Sequence, residues 1–441
     1  MSLPTLQTVE KLQNALRAKA KRSPEFRFYS LYDKVCRTDV LRVAYWRCQK
    51  NGGAPGVDGQ TFEDIEAYGE ERWVGELAEE LRRKEYRCSA VRRVWIPKAN
   101  GKQRPLGIPR IRDRVVQMAV VLILGPIFET DLQPQQYAYR PEKSAHDAIR
   151  QVHALLNMGH TEVVDADLGG YFDSIPHSEL MKSVARRVSD KAMLHLIKEW
   201  LEAPVQEVDK RGNTQRTTRN RDEGRGTPQG APISPLLSNV YMRRFVLGWE
   251  TLGHEKRLDA HIVNYADDFV ICCRDTAEEA MASMRGMMDK LKLKVNEQKT
   301  RPCRVPNESF DFLGYTIGRC YSTRTGKAYI GTRPSKKKIV TICRAISEMT
   351  SRRWTLLPPE DRVAEINRKL MGWARYFCLG AVSKAYRAVD QHTCRRLRQW
   401  LCAKHKIQGP GASHFPDEYL YQTLGLVKLP GLTRSFSWAK A

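Results

Sequence analysis

Apolar residues recur at helical spacing near both ends of the chain. Over residues 5–22 they repeat every three or four positions, from Leu6 through Val9 and Leu12 to Leu16, which predicts an amphipathic helix with a basic outer face. From Lys336 onward the same spacing dominates. It is carried first by Val363, Ile366, Leu370, Trp373 and Phe377, and then by Tyr386, Val389, Leu397 and Leu401. The last quarter of the chain is therefore predicted to be a helical bundle.

Between these ends, β-prone segments alternate with helical ones. The stretch VRRVWIPKANGKQRPLGIP predicts a hairpin whose turn is KANGKQ, and RDRVVQMAVVLILGPIFE after it predicts a buried helix. Further on, TEVVDADL and FDFLGYTIG each predict a strand, while HIVNYADDFVICC predicts two strands bent at its paired aspartates. Residues 206–226 are polar and predict a surface loop or ribbon. The mixture predicts an α+β body followed by the helical bundle.

The charge of the chain points to a polyanionic partner. Lys and Arg number 74 against 50 Asp and Glu, a formal net charge of +24, and residues 331–441 carry 21 of these cations against 7 acids. Aromatic residues are interleaved with them, and basic residues with aromatics suit a phosphate backbone with stackable bases. A solvated helical surface over core aromatics is the alternative. Charge alone therefore favours, without proving, a nucleic-acid partner.

Composition also bounds the compartment. No run reaches the roughly 18 apolar residues that a membrane span needs, and the first residues lack the apolar core of a secretory signal. The 11 cysteines are scattered, with no pair at Cys-x-x-Cys spacing. This pattern favours a reducing environment over a disulfide framework. We expect a cytoplasmic protein without a membrane partner.

Two adjacent aspartates, Asp267 and Asp268, stand inside an apolar, β-prone run. A solvated hairpin turn would explain them, and a metal site is the more demanding explanation. A second strand, VVDADLGGYFD, places Asp165 and Asp167 on one face and Asp173 after the next turn. Two such strands side by side could pool three carboxylates, which are the hard oxygen ligands that Mg²⁺ prefers. Two metal ions about 4 Å apart support an in-line displacement at phosphorus.

The order of motifs along the chain resembles the reverse transcriptases encoded by bacterial group II introns. The matching blocks are APGVDG, RRVWIPKANGKQRPLGIP, YAYRPEKSAHDAI, VVDADLGGYFDSIPH, GTPQGAPISPLLSNVYM, NYADDFVI, KVNEQKT and FDFLGYTIG. After them, INRKLMGWARYF and YRAVDQHTCRRLRQWL resemble the maturase-specific helices of that family. The resemblance runs from about residue 30 to the C-terminus. These helices separate the chain from retron and viral polymerases.

The resemblance implies a right-hand polymerase, with fingers and palm built on antiparallel sheet and followed by an α-helical thumb and maturase domain. It divides the chain into an N-terminal helical extension (1–50), fingers and palm (51–330), a maturase-specific thumb (331–410) and a tail (411–441) that could bind DNA. Many relatives end in an HNH nuclease with paired cysteines and histidines. Such pairs are absent here, so we expect the priming nick to come from another source.

The resemblance also implies roles for individual residues. Asp167, five positions before Phe172, matches the first metal-binding aspartate, and Asp267 with Asp268 match the other two. Together they imply two bound Mg²⁺ ions, while Asp165 is expected to be supporting or structural.

The remaining matches concern the nucleotide. Phe172 matches the steric gate whose ring would clash with a ribose 2′-OH. Lys98 and Arg104 match finger cations that grip the triphosphate, although a surface hairpin would also carry such residues. Gln229 matches a residue that touches the nucleotide sugar, against the alternative of a turn amide. Lys299 matches a lysine near the active site.

The expected function is RNA-directed DNA polymerisation on intron RNA, with assistance to intron splicing and mobility. The implied partners are group II intron RNA, a DNA target or primer and deoxynucleoside triphosphates. An RNA-binding splicing cofactor with an inactive polymerase is one alternative, and a domesticated defence-associated reverse transcriptase is another. The intact set of Asp167, Asp267 and Asp268 favours the enzyme over a pure RNA-binding protein. Sequence leaves the intron, the target, the oligomeric state and the fidelity open.

Overall fold

A computed structural model describes residues 3–97, 103–209, 212–322, 324–409 and 411–432. The chain divides into two compact units, each assembled from segments that are distant in sequence. Unit 1 comprises residues 1–145, 166–271 and 278–301, and unit 2 comprises residues 146–165, 272–277 and 302–441. The linear domain boundaries expected from sequence stay predictions.

The first part of the chain is mainly helical with one hairpin. Its elements are α1 (Leu3–Arg22), α2 (Tyr32–Val35), α3 (Thr38–Asn51), α4 (Phe62–Tyr68), α5 (Glu70–Arg82), β1 (Val91–Pro97), β2 (Gln103–Ile108), α6 (Ile111–Glu129), α7 (Ala145–Asn157), β3 (Glu162–Asp167), α8 (Tyr171–Ser174) and α9 (His177–Ala185). The predicted N-terminal amphipathic helix is confirmed, because α1 buries Val9, Leu16 and Ala20.

The middle of the chain contains the paired aspartates. Its elements are α10 (Lys191–Glu202), β4 (Val205–Val208), β5 (Thr214–Thr217), α11 (Arg219–Asp222), α12 (Ser234–Thr251), α13 (His254–Leu258), β6 (Ala260–Tyr265), β7 (Asp268–Cys273) and α14 (Ala277–Lys290). The two strands predicted within HIVNYADDFVICC are therefore confirmed.

The last part begins with short strands and ends in helices. Its elements are β8 (Arg301–Arg304), β9 (Phe310–Phe312), β10 (Tyr315–Tyr321), β11 (Ala328–Pro334), α15 (Lys336–Met349), a 3₁₀ turn (Arg352–Trp354), α16 (Pro359–Tyr376), α17 (Ser383–His405), a π turn (Tyr419–Thr423) and α18 (Leu429–Leu432).

Helix α6 is central to unit 1. It is apolar on nearly all sides and packs against both α1 and α3. The side chain of Gln13 on α1 also donates to the carbonyl of Leu122, at 2.9 Å. A helix that is apolar all round is stable only when other elements cover it on every side. The buried helix expected from RDRVVQMAVVLILGPIFE is thus confirmed.

Two sheets set the geometry of the site. The first has strand order β2-β1-β4-β5, with β1 and β2 antiparallel and β1 and β4 parallel. This confirms the predicted hairpin and shows that residues 206–226 contain a ribbon, although Lys98 in the hairpin turn lies outside the described residues. The second sheet has order β6-β7-β3-β8, and it places β3 directly beside β7.

The stretch FDFLGYTIG is two strands rather than the single strand that its apolar pattern predicts. Between β9 and β10, Leu313 and Gly314 adopt φ of +50° and +83°, and the strands pair antiparallel. Two consecutive positive φ values make a tight hairpin turn. The prediction was wrong because a two-residue turn does not interrupt the apolar run, and Leu313 is not a residue that usually signals such a turn.

The helical bundle of unit 2 has its own core. Ile346, Ile366 and Leu370 pack with Tyr386 and Trp400, and each of the five is at most 1% exposed. The helical stripes predicted from Lys336 onward are therefore confirmed. No helix within the described ranges is both long and apolar enough to cross a membrane.

Candidate active site

The three predicted metal-binding aspartates lie at the ends of neighbouring strands. Asp167 is the last residue of β3, and Asp268 is the first residue of β7. Asp267 lies in the turn between β6 and β7, after Ala266, whose φ is +58°. The strands β3 and β7 are adjacent in the sheet, and the charge of Asp167 acts on the pKa of Asp267, so the aspartate-bearing ends lie close together. The left-handed residue lets two consecutive aspartates leave the strict alternation of a strand.

Asp167 is held by the segment that follows α14. Its Oδ2 accepts hydrogen bonds from the side-chain amide of Asn296 at 2.8 Å and the ammonium of Lys299 at 2.9 Å. Its backbone N–H lies 3.3 Å from the hydroxyl oxygen of Thr300, and its carbonyl accepts from the N–H of Asn296 at 2.9 Å. The carboxylate is 19% exposed and Lys299 is 62% exposed, so this ion pair opens to solvent on the lysine side.

Asp267 is electrostatically unfavourable as a lone carboxylate. Burial raises its pKa above the ordinary value, and the negative charge of Asp167 raises it further. The cations Arg104 and Lys299 act in the opposite direction. An additional cation would stabilise carboxylates that lie close together and are partly buried.

The donor set fits Mg²⁺ in chemistry and charge. It consists of carboxylate oxygens at one sheet edge, which are ligands of the kind that Mg²⁺ prefers. The three aspartates do not form a closed cluster of ligand oxygens in the described part of the chain. The ammonium of Lys299 instead neutralises Asp167. Metal binding would therefore require Lys299 to move away from Oδ2.

A cavity of about 490 Å³ is the second component of the site. It belongs to unit 1, and three residues predicted to bind nucleotide line it: Arg104, Phe172 and Gln229. Residues 51–54 and 230–232 form other parts of its wall. Its volume falls in the range of small-molecule sites.

Polar side chains form a chain across this cavity. Arg104 Nε donates to Oε1 of Gln229 at 3.0 Å, and Nε2 of Gln229 donates to Oδ2 of Asp173 at 2.9 Å. Arg104 also lowers the pKa of Asp267, so its guanidinium acts on the aspartates. One cation thus serves both the cavity and the carboxylates. Lys299, in contrast, does not line the cavity and lies on Asp167.

Phe172 lies in α8, directly after the strand end that carries Asp167. It is 8% exposed and packs edge-on against Tyr171, with 5.7 Å between ring centroids. Its carbonyl accepts from the N–H of Thr227 at 2.7 Å, which ties it to the loop carrying Gln229. The ring is therefore a fixed wall of the cavity.

The loop GTPQG approaches the β1–β2 hairpin very closely. Gly107 N–H donates to the carbonyl of Gln229 at 2.6 Å. A Cβ on Gly230 would lie 2.7 Å from the carbonyl oxygen of Gly107, and Gly230 has φ of +108°. Both the conformation and the space require glycine at this position.

The two glycines that follow Asp167 and Leu168 differ in whether the structure requires glycine. Gly170 has φ of +62° and precedes the first residue of α8, so it makes the left-handed turn that directs Phe172 into the cavity wall. Gly169 has ordinary space, since its Cβ would lie 3.6 Å from the carbonyl of Lys294. Nothing in the structure requires glycine there.

Sequence reasoning missed several residues of the site. Asn296 and Thr300 lie in the block KVNEQKT, and Asp173 follows the strand that carries Asp167, but sequence reasoning assigned none of them a role. In the structure each contacts a predicted site residue. Tyr139 also lines the cavity, with φ of +55° and 55% exposure. Burial of its hydroxyl and the nearby Asp267 carboxylate raise the pKa of Tyr139. A non-glycine residue with positive φ is an unusual signal, but it is visible only in the structure.

Comparisons with known families agree with this architecture. Residues 96–317, half of the chain, match the family model described as "Reverse transcriptase (RNA-dependent DNA polymerase)". Residues 339–415 match the model described as "Group II intron, maturase-specific domain".

Individual proteins are similar over different spans. "Protein YkfC" of Escherichia coli K12 is 33% identical over 75% of this chain and 93% of its own length. "Group II intron-encoded protein LtrA" of Lactococcus lactis subsp. cremoris is 33% identical over 50% of this chain, and the match spans 35% of LtrA. A chain of the solved "Partial Cas6-RT-Cas1--Cas2 complex" is 20% identical over 59% of this chain and 42% of that chain, with a TM-score of 0.35.

Proposed function

The chain belongs to the reverse transcriptases of group II introns, which are RNA-directed DNA polymerases with a maturase-specific domain, and from this premise we propose how its residues carry out polymerisation. Asp167, Asp267 and Asp268 would hold two Mg²⁺ ions. Arg104, Phe172 and Gln229 bind the incoming deoxynucleoside triphosphate in the 490 Å³ cavity. The observation that carries the proposal is the convergence of this cavity and the aspartate-bearing strand ends around Arg104.

The bound ions would supply activation of the primer 3′-OH and stabilisation of charge on the α-phosphate and the leaving pyrophosphate. The protein groups position and select. Arg104 offers a fixed cation to the triphosphate, at a place where charge develops during transfer. Lys98 is proposed to act with it on the same triphosphate.

Selection of the sugar falls to the cavity wall. The fixed ring of Phe172 excludes a ribose 2′-OH, and Gln229, held by Arg104 and Asp173, contacts the sugar. Lys299 neutralises Asp167, and it would have to leave Oδ2 of Asp167 for a metal ion to be held there. The sugar and the triphosphate are therefore recognised by the same part of unit 1.

The maturase function concerns intron RNA. Residues 331–441 hold 21 Lys and Arg against 7 Asp and Glu, which suits binding of folded RNA through its phosphates. We propose that the protein adds no splicing chemistry. It stabilises the folded intron, and the RNA carries out the cleavage and joining.

Primer extension tests the polymerase site. A DNA primer on an RNA template, with Mg²⁺ and deoxynucleotides, is extended by the wild type and by Asp289→Asn, which changes an exposed aspartate of α14. Asp267→Asn is expected to reduce the rate roughly 10²-fold or more, because a metal ligand is lost. Equal rates for Asp267→Asn and the wild type would contradict the assignment. Absence of extension by the wild type, with intron RNA binding retained, would favour a splicing cofactor.

A further inference from the structure

A second cavity, of about 610 Å³, lies in unit 1 and has no lining residue in common with the nucleotide cavity. Its wall is markedly basic, with side chains contributed by the segment after α1, by α9 with the residue after it, and by α12. The charged residues that line it are Glu25, Arg27, Lys182, Arg186, Arg243 and Arg244. Polymerisation, as proposed above, uses none of them.

The carboxylates around this cavity do not balance its cations. Glu179 pairs with both Lys182 at 3.0 Å and Arg244 at 2.9 Å, and Asp131 pairs with Arg186. With Glu25, the cavity therefore has three acidic residues in or beside its wall, whereas five cationic residues line it. Arg243 is partly buried, and Arg186 and Arg187 act on it as like charges that Asp131 opposes. An incoming anion would offset this repulsion.

An aromatic platform adjoins the basic wall. The segment between α1 and α2 contains the lining residues Glu25 and Arg27. It also carries the aromatic residues Phe26 and Tyr29. The rings of Phe26 and Tyr29 lie 6.3 Å apart between centroids, and Tyr29 is 73% exposed. Lys19 Nζ lies 4.3 Å from the centroid of the Phe26 ring. An exposed tyrosine beside cations is suited to stack on an unpaired base.

The platform is held in place by a buried arginine. Arg187 is fully buried and donates to the carbonyl oxygens of Ala20 at 2.9 Å and Ser23 at 3.2 Å. The N–H of Phe28 donates to the carbonyl of Arg187 at 2.7 Å, and the N–H of Ser189 donates to the carbonyl of Phe28 at 2.8 Å. The segment is therefore pinned to the body on both sides of Arg27, and the surface is formed before a ligand arrives.

We propose that this cavity and platform form a binding site for single-stranded RNA, separate from the polymerase centre. Phosphates bind Arg27, Arg243 and Arg244, and an unpaired base stacks on Tyr29. A duplex would offer the phosphates but would hide its base faces from the tyrosine. The identification of the ligand as RNA rests on the proposed function. Its phosphates and its unpaired base are inferred from the basic cavity and the exposed tyrosine themselves.

Binding of a fluorescent single-stranded uridine oligomer, followed by anisotropy at several salt concentrations, tests the site. The polymerase centre is first saturated with an RNA–DNA primer–template. The double variant Arg27→Gln/Arg244→Gln is compared with Arg72→Gln/Arg83→Gln, which removes the same charge from exposed arginines of α5 and the residue after it. Two lost phosphate contacts should reduce the slope of log affinity against log salt by about 1.4, and the α5 control should change it little.

Tyrosine variants test the stacking. Tyr29→Ala is expected to weaken binding about 5-fold or more, while Tyr29→Phe retains it, because stacking needs the ring and not the hydroxyl. Equal affinities and slopes for the two double variants would overturn the site. Retained affinity in Tyr29→Ala would overturn the single-stranded assignment.

Primer extension separates this inference from the proposed function. We expect Arg27→Gln/Arg244→Gln to extend a primer at the wild-type rate. A wild type without polymerase activity would refute the proposed function and would leave the difference in RNA binding standing.

Discussion

At the scale of single residues, the site combines a rigid wall with charges that the protein leaves partly unbalanced. Phe172 is fixed by its neighbours, whereas Asp267 carries a raised pKa because of burial and of Asp167. In the proposed function the first property serves selection of the sugar and the second serves metal binding. Each property gives a separate prediction.

Selection can be tested by trimming the ring. Phe172→Val is expected to raise the efficiency with ATP relative to dATP by about 10-fold or more, because space opens for the 2′-OH at a wall built to exclude it. The measurement is kcat/KM for both nucleotides in primer extension. Tyr171→Phe serves as the control, since Tyr171 packs on Phe172 but does not line the cavity. Unchanged discrimination in Phe172→Val would contradict the steric role.

The raised pKa of Asp267 makes stability depend on pH and metal. A carboxyl whose pKa is raised on folding stabilises the protein fully below its unfolded pKa, and this contribution is lost as pH rises through the folded value. At pH 7 without metal the ionised group is therefore unfavourable. Asp267→Asn should raise Tm by about 1–3 °C at pH 7, and this gain should shrink towards pH 4.

Added Mg²⁺ should reverse the order of the two proteins. A ligand that binds only the folded state raises Tm, and the wild type should gain more than Asp267→Asn. The measurement is thermal unfolding at pH 4 and 7, with chelator and with Mg²⁺. A lower Tm for Asp267→Asn in chelator at pH 7 would count against this explanation.

At the scale of elements, left-handed residues place the functional parts. Ala266 turns β6 into β7 at the paired aspartates, and Gly170 turns the end of β3 into α8. In unit 2, Gly380 closes the connection between α16 and α17, where it meets β11. Its φ is +70°, and a Cβ there would clash with the backbone oxygen of Thr332. Gly380 therefore does not tolerate a side chain without movement of the backbone.

Two glycine substitutions should therefore have opposite effects on unit 2. Gly380→Ala is expected to lower the free energy of unfolding by about 2 kcal/mol or more, because of the clash and the positive φ. Gly372→Ala, in an exposed and uncrowded position of α16, should raise it by about 0.5–1 kcal/mol. Urea unfolding followed by far-UV circular dichroism measures both. Equal destabilisation by the two changes would show that the contact with Thr332 is unimportant.

At the scale of the whole molecule, net charge governs RNA binding. The chain carries +24, and the basic residues are spread over both units. Such a molecule releases many counterions when it binds RNA, so its affinity depends steeply on ionic strength.

If six to ten phosphates are neutralised, the slope of log affinity against log salt for single-stranded RNA should be about −4 to −7. The slope is measured by filter binding or anisotropy between roughly 50 and 300 mM KCl, where log affinity is expected to vary linearly with log salt. An uncharged-backbone analogue of the same sequence is the control and should bind weakly with little salt dependence. A slope near −1 for RNA would contradict extensive phosphate contact.

Local pattern was sufficient to predict much of this protein. Periodicity predicted α1, α6 and the helices of unit 2, because burial on one face repeats every 3.6 residues wherever the helix packs. The order of the motifs identified the family, and the family motifs identified Asp167, Asp267 and Asp268 as candidate metal ligands. The tight turn at Leu313 was missed, since two residues do not disturb an apolar run.

The partners of these residues were decided only by tertiary structure. Asn296 and Lys299 donate hydrogen bonds to Asp167, which lies about 130 residues earlier in the chain. Gln229 accepts a hydrogen bond from Arg104, 125 residues earlier. The basic cavity likewise joins Arg27 to Arg244. The sequence shows which side chains are apolar and tend to be buried, and which are charged. Which distant side chains meet depends on how the helices and sheets pack, because that packing, and not local preference, repays the entropy of closing such long loops.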